Sequence, residues 1–509
     1  MNLLRRLRSA RIAVSATLLL GIPFPGAAAQ GQPPVGDTEA SASSPAPEQP
    51  GGASQTIFAP QPHANANLPE PSENPLAIAL VDDPVIGATR QTVSGEVFRE
   101  FVALAVARHP ALAETAGYAQ QARYTLYQQE AALAPSAEIS ISGFQVLARD
   151  FAGSGVDNIV ERTRASRRFD QFASISQLLT DFGATSSRID AAGARLRAAA
   201  LGVDDTASRV SLNAIAAWYD VYTLRSILAL SAAYRRDQEN SRQAIAERVT
   251  EGAAAEVDTA LVDNSLAQLD IRIARFQQQL SSAEARFREL TGAEPPADLL
   301  RAPPIGVLPA SVEAARVASL WAPASRAARF EAEAAEKEAR AGRRDLYPSV
   351  TTSVSAGRYG LLEETRDYDV VAQITLSQRL FGGIPQRARA LEAGAVAANA
   401  RSYRIEEENA RDAALAFTEL ASYDRQLASL EQAYLATRIT RDAVFERFRY
   451  SRGTLFEVID ASDAFYAAAT SYLQTLAQRD ATRYVLLANT GALLDALRIA
   501  PYTAERLDE

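Results

Sequence analysis

Residue types that perform covalent chemistry are scarce in this chain of 509 residues. It contains two histidines and no cysteine, so no thiolate metal site or disulfide framework can form. His63 lies in a proline-rich stretch and His109 precedes Pro110, and neither has the spacing of a metal ligand. The sequence has no nucleophile-elbow, phosphate-loop or dinucleotide-binding motif. We therefore expect a protein that is not an enzyme and binds no cofactor or metal.

Carboxylates are abundant but are not arranged for catalysis. We interpret the run Glu406-Glu407-Glu408 as a helix face in contact with water rather than an acid/base pair. The formal net charge is −9, and removal of four N-terminal arginines would give −9 − 4 = −13. A nucleic-acid partner requires a basic surface, which this composition does not supply. We expect no nucleic-acid partner.

The first residues have the layout of a secretory signal peptide, predicted over residues 1–29. Arg5 and its neighbouring arginines precede a short apolar run, and Ala27-Ala28-Ala29 offers a cleavage site. The alternative is an N-terminal membrane anchor, but the run is short and is interrupted by Pro23. No later stretch of about 18 apolar residues predicts a transmembrane helix. An exported chain of this kind can be periplasmic, secreted or an outer-membrane barrel.

Composition and periodicity divide the first half of the mature chain. Residues 30–93, rich in Pro, Ala, Ser and Gly, predict a disordered or loosely attached leader, with a periplasmic tether as the alternative. A helix is predicted to start at Ser94. Alternating apolar residues predict a hairpin over about 137–181, with a loop at roughly 149–168. Residues 184–292 predict long helices interrupted near 238–254, in two halves of fifty-odd residues.

The second half repeats this pattern after a Pro-rich linker at 293–310. The first repeat spans 94–292 and the second 311–495, with a hairpin at about 349–381, helices at about 384–495, and a tail at 496–509. Ala134-Pro135-Ser136 matches Tyr347-Pro348-Ser349 at a shift of 213 residues, whereas the Arg-x-x-x-Gly elements match at 201. The first hairpin loop is therefore about twelve residues longer, as expected for an exposed loop.

The predicted strands have an apolar and a polar face. In the second hairpin, Val350, Thr352, Val354 and Ala356 share one face, and a second group shares the matching face of the partner strand: Val370, Ala372, Ile374 and Leu376. Such a wall suits a barrel between lipid and water, and the alternative is a soluble hairpin packed on a helix. Four strands cannot close a bacterial barrel, and open edges are not tolerated in lipid. Strands in a membrane would therefore have to pair between chains, eight strands from two copies or twelve from three.

The predicted helices are rich in alanine at helical spacing, which favours a thin and closely packed wall. The alternative is a long periplasmic coiled-coil scaffold without channel activity. Further residues carry a resemblance to a known family: Tyr347-Pro348-Ser349-Val350 at a helix end, Ser377-Gln378-Arg379-Leu380-Phe381-Gly382-Gly383 after a hairpin, and the repeated Arg-x-x-x-Gly element. Over roughly 94–495 the chain resembles the TolC family of outer-membrane efflux and secretion channels.

The resemblance implies a mainly α fold with a small antiparallel β part. Each of the two repeats would be ordered helix, strand, strand, helix, helix. Three chains would form a homotrimer with a shared 12-stranded barrel in the outer-membrane lipid and a periplasmic α-barrel of long helices. The implied partners are a periplasmic adaptor (membrane fusion) protein and an inner-membrane pump of the RND or ABC type. The chain would conduct substrates passively, either in efflux or in type I secretion.

The same resemblance suggests two sets of site residues. Arg248, Gly252, Arg449 and Gly453 match elements near the periplasmic helix tips, where the adaptor docks. The alternative for the glycines is that they only ease a turn. Acidic residues beyond them match a ring around the inner mouth: Glu457, Asp460, Glu256 and Asp258. The spacing from Gly453 to Glu457 is two residues shorter than in the family, and each carboxylate alone could be a solvated surface group.

Overall fold

A computed structural model of the chain describes residues 68–502, apart from 73, 76–77, 79–82, 151–164, 253–254, 361–366 and 451. The predicted signal peptide and the leader up to residue 67, with His63, lie outside the described residues. The described elements belong to one compact unit, Phe58–Glu509.

The described elements alternate between helices and pairs of strands. In chain order they are α1 (Pro84–Arg90), α2 (Gly95–Arg108), α3 (Pro110–Ala131), β1 (Ser136–Gln145), β2 (Arg167–Thr180), α4 (Ala184–Thr250), α5 (Glu256–Thr291), α6 (Val312–Ser319), α7 (Pro323–Arg344), β3 (Ser349–Tyr359), β4 (Asp367–Ser377), α8 (Ile384–Arg449), α9 (Leu455–Asn489) and α10 (Leu493–Leu497).

The two predicted repeats have nearly equal helices. α3 and α7 each have 22 residues, α4 and α8 have 67 and 66, and α5 and α9 have 36 and 35. The four strands form one antiparallel sheet in the order β1-β2-β3-β4. The predicted fold class, mainly α with a small antiparallel sheet and two repeats, is confirmed.

Each long helical segment divides unequally, so the expectation of two halves of fifty-odd residues was wrong. α4 continues through residues 238–250 and ends at Thr250, so only the end of the interruption predicted near 238–254 lies outside the helix. Residues 238–250 contain neither Pro nor Gly, whereas Gly252 adopts a φ of +73°, which other residues reach at a cost. At 1.5 Å per residue, α4 and α8 would each run about 100 Å and α5 and α9 about 54 Å.

Short polar side chains set the helix starts before the first hairpin. The Ser94 hydroxyl accepts a hydrogen bond from the Val97 backbone N–H at 3.3 Å, which confirms the predicted start of α2. His109 caps α3, because its Nδ1 accepts from the Ala111 N–H at 3.2 Å and Pro110 follows as the first helical residue. The described histidine therefore has a local structural role.

A band of aromatic residues forms the largest core. The ring of Phe101 lies 4.8 Å from that of Trp218 and 5.0 Å from that of Phe287, measured between centroids, which joins α2, α4 and α5. The Trp218 indole N–H donates to the Leu300 carbonyl at 2.9 Å. The segment predicted as a linker therefore packs against the core in part, and three of its apolar side chains are buried: Leu299, Ala302 and Ile305.

The end of the predicted leader is also packed. Leu68, Val85 and Ile86 are buried in a second core with residues of α4, α5, α8 and α9. The expectation of a loosely attached leader is thus wrong for α1 and for Leu68. Sequence composition did not reveal this because the burial rests on only a few apolar side chains in a Pro- and Ala-rich segment.

Candidate channel wall and helical tips

The sheet presents one apolar and one polar face. Strand register aligns Ala137, Ile175, Val354 and Ala372 in one row across all four strands. A neighbouring row has the same character: Ile139, Ala173, Ala356 and Val370. The register thus confirms the apolar face that the alternating pattern predicts for the second hairpin. The opposite face carries rows of small polar residues such as Ser136, Ser176, Ser353 and Gln373.

Large apolar side chains on this face are open to solvent in the single chain. Ile139 is 71% exposed, Val370 65% and Ile374 72%. Exposed apolar surface of this extent is unusual on a soluble monomer and marks a surface that contacts lipid or protein. In the single chain this face is therefore not packed on a helix, and it is suited to contact with lipid or with another protein.

Aromatic side chains stand at both ends of the apolar face. Phe182 and Tyr347, with ring centroids 5.9 Å apart, lie where the strands meet the helices, and Phe169 and Tyr368 lie near the loops. From Leu376 to Tyr368 a strand rises about 27 Å, which is about 20 Å in height at the usual barrel tilt. An apolar band of about this height between aromatic girdles is typical of outer-membrane barrels.

Both edges of the sheet are open. β1 pairs with β2 and β4 pairs with β3, so among the described residues the outer backbone groups of both edge strands have no strand partner. All ten residues of β1 are exposed. Long edge strands of this kind are templates for pairing with another chain.

At the tip of the first repeat, α4 turns into α5. Arg248 is in the last turn of α4, and its guanidinium carbon lies 4.9 Å from the ring centroid of Phe448 at the end of α8. Gly252 is exposed, and a Cβ added there would meet no atom within 4 Å. Gly252 therefore makes the turn by its backbone conformation, and its surroundings leave room for a partner.

The second tip is built differently. Gly453 has no positive φ, and a Cβ there would lie 3.4 Å from a Glu457 carboxylate oxygen and 3.5 Å from the Phe448 backbone nitrogen. Arg449, in the last turn of α8, pairs with Glu446 at 2.8 Å. The two matched glycines thus have different local roles, one in the turn and one in close packing.

The four predicted aperture carboxylates fall into two groups. Glu457 accepts from the Thr454 N–H at 3.1 Å while the Thr454 hydroxyl accepts from the Glu457 N–H, which forms a capping box at the start of α9. Asp258 similarly accepts from the Ala255 N–H at 3.2 Å. Glu256 and Asp460 are exposed, and no ion pair with another described residue involves them. Glu457 is exposed as well, but its carboxylate bonds the cap and lies 3.7 Å from Arg447, so Glu256 and Asp460 are the two carboxylates without such a contact among the described residues.

A clamp that sequence reasoning missed joins the two helix pairs above the tips. Asp463 of α9 accepts from Arg272 of α5 at 2.8 Å and from the Tyr234 hydroxyl of α4 at 3.1 Å. Burial and the adjacent Asp463 carboxylate raise the pKa of the Tyr234 phenol, so it remains a donor at neutral pH. The partners are 191 and 229 residues from Asp463, and no local motif signals contacts of that range.

A second unpredicted network fixes the segment before α2 to α8. Asp83, fully buried, caps α1 and accepts from the Tyr434 hydroxyl at 2.9 Å and from Arg438 at 2.5 Å. Burial, and then the Asp83 carboxylate, raise the pKa of the Tyr434 phenol well above its usual range. Arg441 donates to the Pro69 carbonyl at 2.9 Å. Pro69 and the start of α1 are thereby each held against α8.

The glutamate run behaves as a solvated face. Glu406 pairs with Arg329 at 2.5 Å, Glu408 with Arg404 at 2.6 Å, and Glu407 is 3.8 Å from Arg316. No group of three or more His, Asp or Glu side chains among the described residues is placed to hold a metal ion. In the described part of the chain, every helix is too short or too polar to cross a bilayer.

Comparison with solved structures shows that proteins named as outer-membrane channels share this fold. No family model matches the sequence, and no curated protein matches it. The channel OprN is 19% identical, with 86% of this chain and 96% of that one covered at a TM-score of 0.67. VceC of Vibrio cholerae is 16% identical (77% and 96% covered, TM-score 0.68) and the open state of MtrE of Neisseria gonorrhoeae 17% (78% and 89%, TM-score 0.65). The predicted TolC-like fold is confirmed.

Proposed function

We propose that the chain is one subunit of a homotrimeric outer-membrane channel that serves as the exit duct of a tripartite export system. The observation that carries this proposal is the sheet, which combines a continuous apolar face with two open edges. An open edge in lipid leaves backbone groups unsatisfied at several kcal/mol each, so β1 of one copy would pair with β4 of the next. Three copies would then close a barrel of twelve strands.

The helices support the periplasmic half of the proposal. α4 and α8, about 100 Å long by the helical rise, would extend the barrel into a tunnel on the inner side of the outer membrane. The solved structures that share the fold carry names such as outer-membrane channel OprN and CmeC outer membrane channel. We infer the same location here, with the sheet in the outer membrane and the long helices in the periplasm.

Transport through such a duct would be passive. The sequence contains no nucleotide-binding motif, so energy would come from an inner-membrane pump of the RND or ABC type. Both efflux of small molecules and type I protein secretion fit this arrangement, because the pump selects the cargo. We favour no substrate class on the structure of the duct alone.

The tips are the proposed docking surface for a periplasmic adaptor. Arg248 and Phe448 bring the ends of α4 and α8 together, and a cavity of about 510 Å³ opens beside them. The cavity has apolar and aromatic walls, which include Ile245 and Phe445, and its lining carries both arginines and carboxylates, among them Arg449 and Glu446. An adaptor segment with an apolar side chain for the cavity and an acidic residue for Arg248 would fit this surface.

Charge reversal at the tips tests the docking proposal. Arg248→Glu and Arg449→Glu together are expected to abolish adaptor capture by the purified trimer, whereas Arg404→Glu, which lies on α8 far from the tip, leaves it intact. Reduced adaptor capture by the tip variant and by the Arg404→Glu control alike would indicate general electrostatic attraction and contradict a docking site at the tips.

The exposed carboxylates are the proposed inner aperture. Three copies of Glu256 and Asp460 around one mouth would attract cations and repel anions. Glu457 and Asp258 would contribute mainly by holding the helix starts, since their side chains bond the caps. We expect Glu256→Gln/Asp460→Asn to reduce block by trivalent cations, with Glu130→Gln as a control. Unchanged block would exclude these residues from the aperture.

The rival function is a periplasmic coiled-coil scaffold without channel activity. Reconstitution of the purified mature chain in planar bilayers separates the two. The channel proposal expects a trimer extracted by detergent from the outer membrane, with discrete conductance steps. A soluble monomer from the periplasm that gives no conductance would contradict it and favour the scaffold.

A further inference from the structure

A cluster of aromatic and charged side chains lies on the polar face of the sheet at the end remote from the long helices. We call this cluster the loop-end cluster; its members are Arg168, Asp170, Phe172, Tyr359 and Asp369. Register places Phe172 opposite Gly357 and Gly357 opposite Asp369, on the face that carries Ser140. Elsewhere this face bears mainly serine, threonine and glutamine, with Glu138, Phe144 and Val371 as larger exceptions, and the cluster is where several large side chains meet.

The members of the cluster hold one another in place. The Tyr359 hydroxyl donates to Asp369 at 3.2 Å, and the Phe172 and Tyr359 rings meet edge to face at 5.4 Å. The Arg168 guanidinium lies over the Tyr359 ring at 5.0 Å and pairs with Asp170 at 2.8 Å. A ring that is fixed by a hydrogen bond, an edge contact and a cation is not a freely moving surface side chain.

Gly357 provides the space for this arrangement. A Cβ at that position would lie 2.9 Å from the Asp369 carboxylate, 3.0 Å from the Tyr359 hydroxyl and 3.1 Å from the Phe172 ring. The side chains of three residues therefore converge over one glycine. They form a raised patch across β2, β3 and β4, and the neighbouring rows of serine form a lower surface.

We propose that three copies of the loop-end cluster form a constriction at the outer end of the pore. The inference rests on the proposed trimeric channel. Twelve strands about 4.8 Å apart and tilted by about 40° give a backbone radius of about 12 Å. Tyrosine and arginine side chains extend about 6 Å from such a wall, which leaves a free radius of about 5–6 Å, against about 9 Å where serines line it. The largest solute that can pass the outer end would thus be set by residues of the strands.

The sheet offers a matched control for each residue type, because the same types stand on the opposite face at the same end. Tyr368 matches Tyr359, Phe169 matches Phe172 and Arg167 matches Arg168. Tyr359→Ala removes a side chain from the proposed lumen, and Tyr368→Ala removes an identical one from the lipid face. The two variants lose the same kind of side chain and differ only in the face of the sheet from which it is removed.

The experiment measures access of neutral polyethylene glycols of graded size to the trimer in a planar bilayer, with polymer added to each side in turn. For Tyr359→Ala we expect the largest admitted polymer radius to rise from one side only, by up to about 1.5-fold because Arg168 and Phe172 remain, and the conductance to rise as well. Tyr368→Ala should match the wild type. Asp369→Ala keeps the Tyr359 ring but removes its hydrogen-bond acceptor. This variant should give a smaller rise in the admitted polymer radius, again from one side only. It replaces Tyr359→Ala as the test if that variant does not assemble.

The outcomes separate this inference from the proposed function. A wild-type protein without conductance contradicts the channel itself, and the constriction with it. A conducting wild type whose polymer limits are unchanged in Tyr359→Ala and Asp369→Ala contradicts the constriction alone. An equal change in Tyr368→Ala also overturns it, since the effect would then follow from perturbing the sheet.

Discussion

Asp83 offers the sharpest test of how the structure holds the segment before α2. Its side chain is fully buried and serves α1 as a cap, through the Val85 N–H at 2.9 Å and the Ile86 N–H at 3.0 Å. It also accepts from Tyr434 and pairs with Arg438, whose side chain is only 11% exposed. Asp83→Ala would leave Arg438 buried without its partner.

The size of the effect follows from the burial of the pair. Removing one member of a buried ion pair costs about 3–5 kcal/mol, because the remaining charge loses its compensation. Loss of the helix cap adds about 1 kcal/mol. The two costs add to about 4–6 kcal/mol, and 1.4 kcal/mol is about tenfold in an equilibrium, so local opening of α1 should become about a thousand to ten thousand times more frequent.

Hydrogen exchange of the amides in α1 measures this opening directly. We expect Asp83→Ala to lose protection in Pro84–Arg90 while the middle of α4 keeps it. Asp83→Asn, which retains the cap and the Tyr434 contact, should have an intermediate effect. Asp83→Ala/Arg438→Leu should recover part of the protection, because it leaves no unpaired charge. Wild-type protection of α1 in Asp83→Ala would refute the reasoning.

Three further predictions concern the helices. Asp463→Asn should loosen the contact between the two helix pairs by about 1–2 kcal/mol, since Asp463 accepts from Arg272 and a buried phenol; faster proteolysis at the tips would report it, and an unchanged rate would count against the clamp. Burial raises the pKa of Asp205 despite a neighbouring arginine, so the ionised form is disfavoured in the folded state. Asp205→Asn should therefore raise the melting temperature at pH 8, with a gain that shrinks as the pH falls towards 4; an equal shift at both pH values would be inconsistent. Gly252→Ala should destabilise the first tip by about 1–2 kcal/mol because of its φ of +73°, whereas Gly453→Ala, at ordinary φ, should cost less; equal thermal shifts would contradict the difference between the tips.

The repeats and the sheet could be predicted because they rest on local pattern. The alternation around Ile139 and Val354 fixes which face is apolar, and the shift between matched anchors locates both hairpins. The observed strands begin and end within a few residues of the predicted hairpins at their helix ends. The start of β2 at Arg167 was predicted as loop, because its charged first residues hide the alternation.

The break between α4 and α5 and the clamps could not be predicted in the same way. The turn at Gly252 depends on a single glycine in a segment whose composition is otherwise helical. The partners of Asp83 and Asp463 lie on other helices, hundreds of residues away along the chain. Resemblance placed four carboxylates near the tips, and only the structure separates the two that bond a helix cap, Glu457 and Asp258, from Glu256 and Asp460, which do not.

The central claim is that this chain is a subunit whose sheet closes only with other copies, and cysteine cross-linking tests it most directly. The protein has no cysteine of its own, so Ile139→Cys on β1 can be combined with a cysteine at Val370, Ala372 or Ile374 on β4 without background. On oxidation in membranes, the account predicts covalent species of two and three chains for at least one pair, and none larger. Cross-linking within single chains only, or a ladder that ends at two or extends past three, would contradict it.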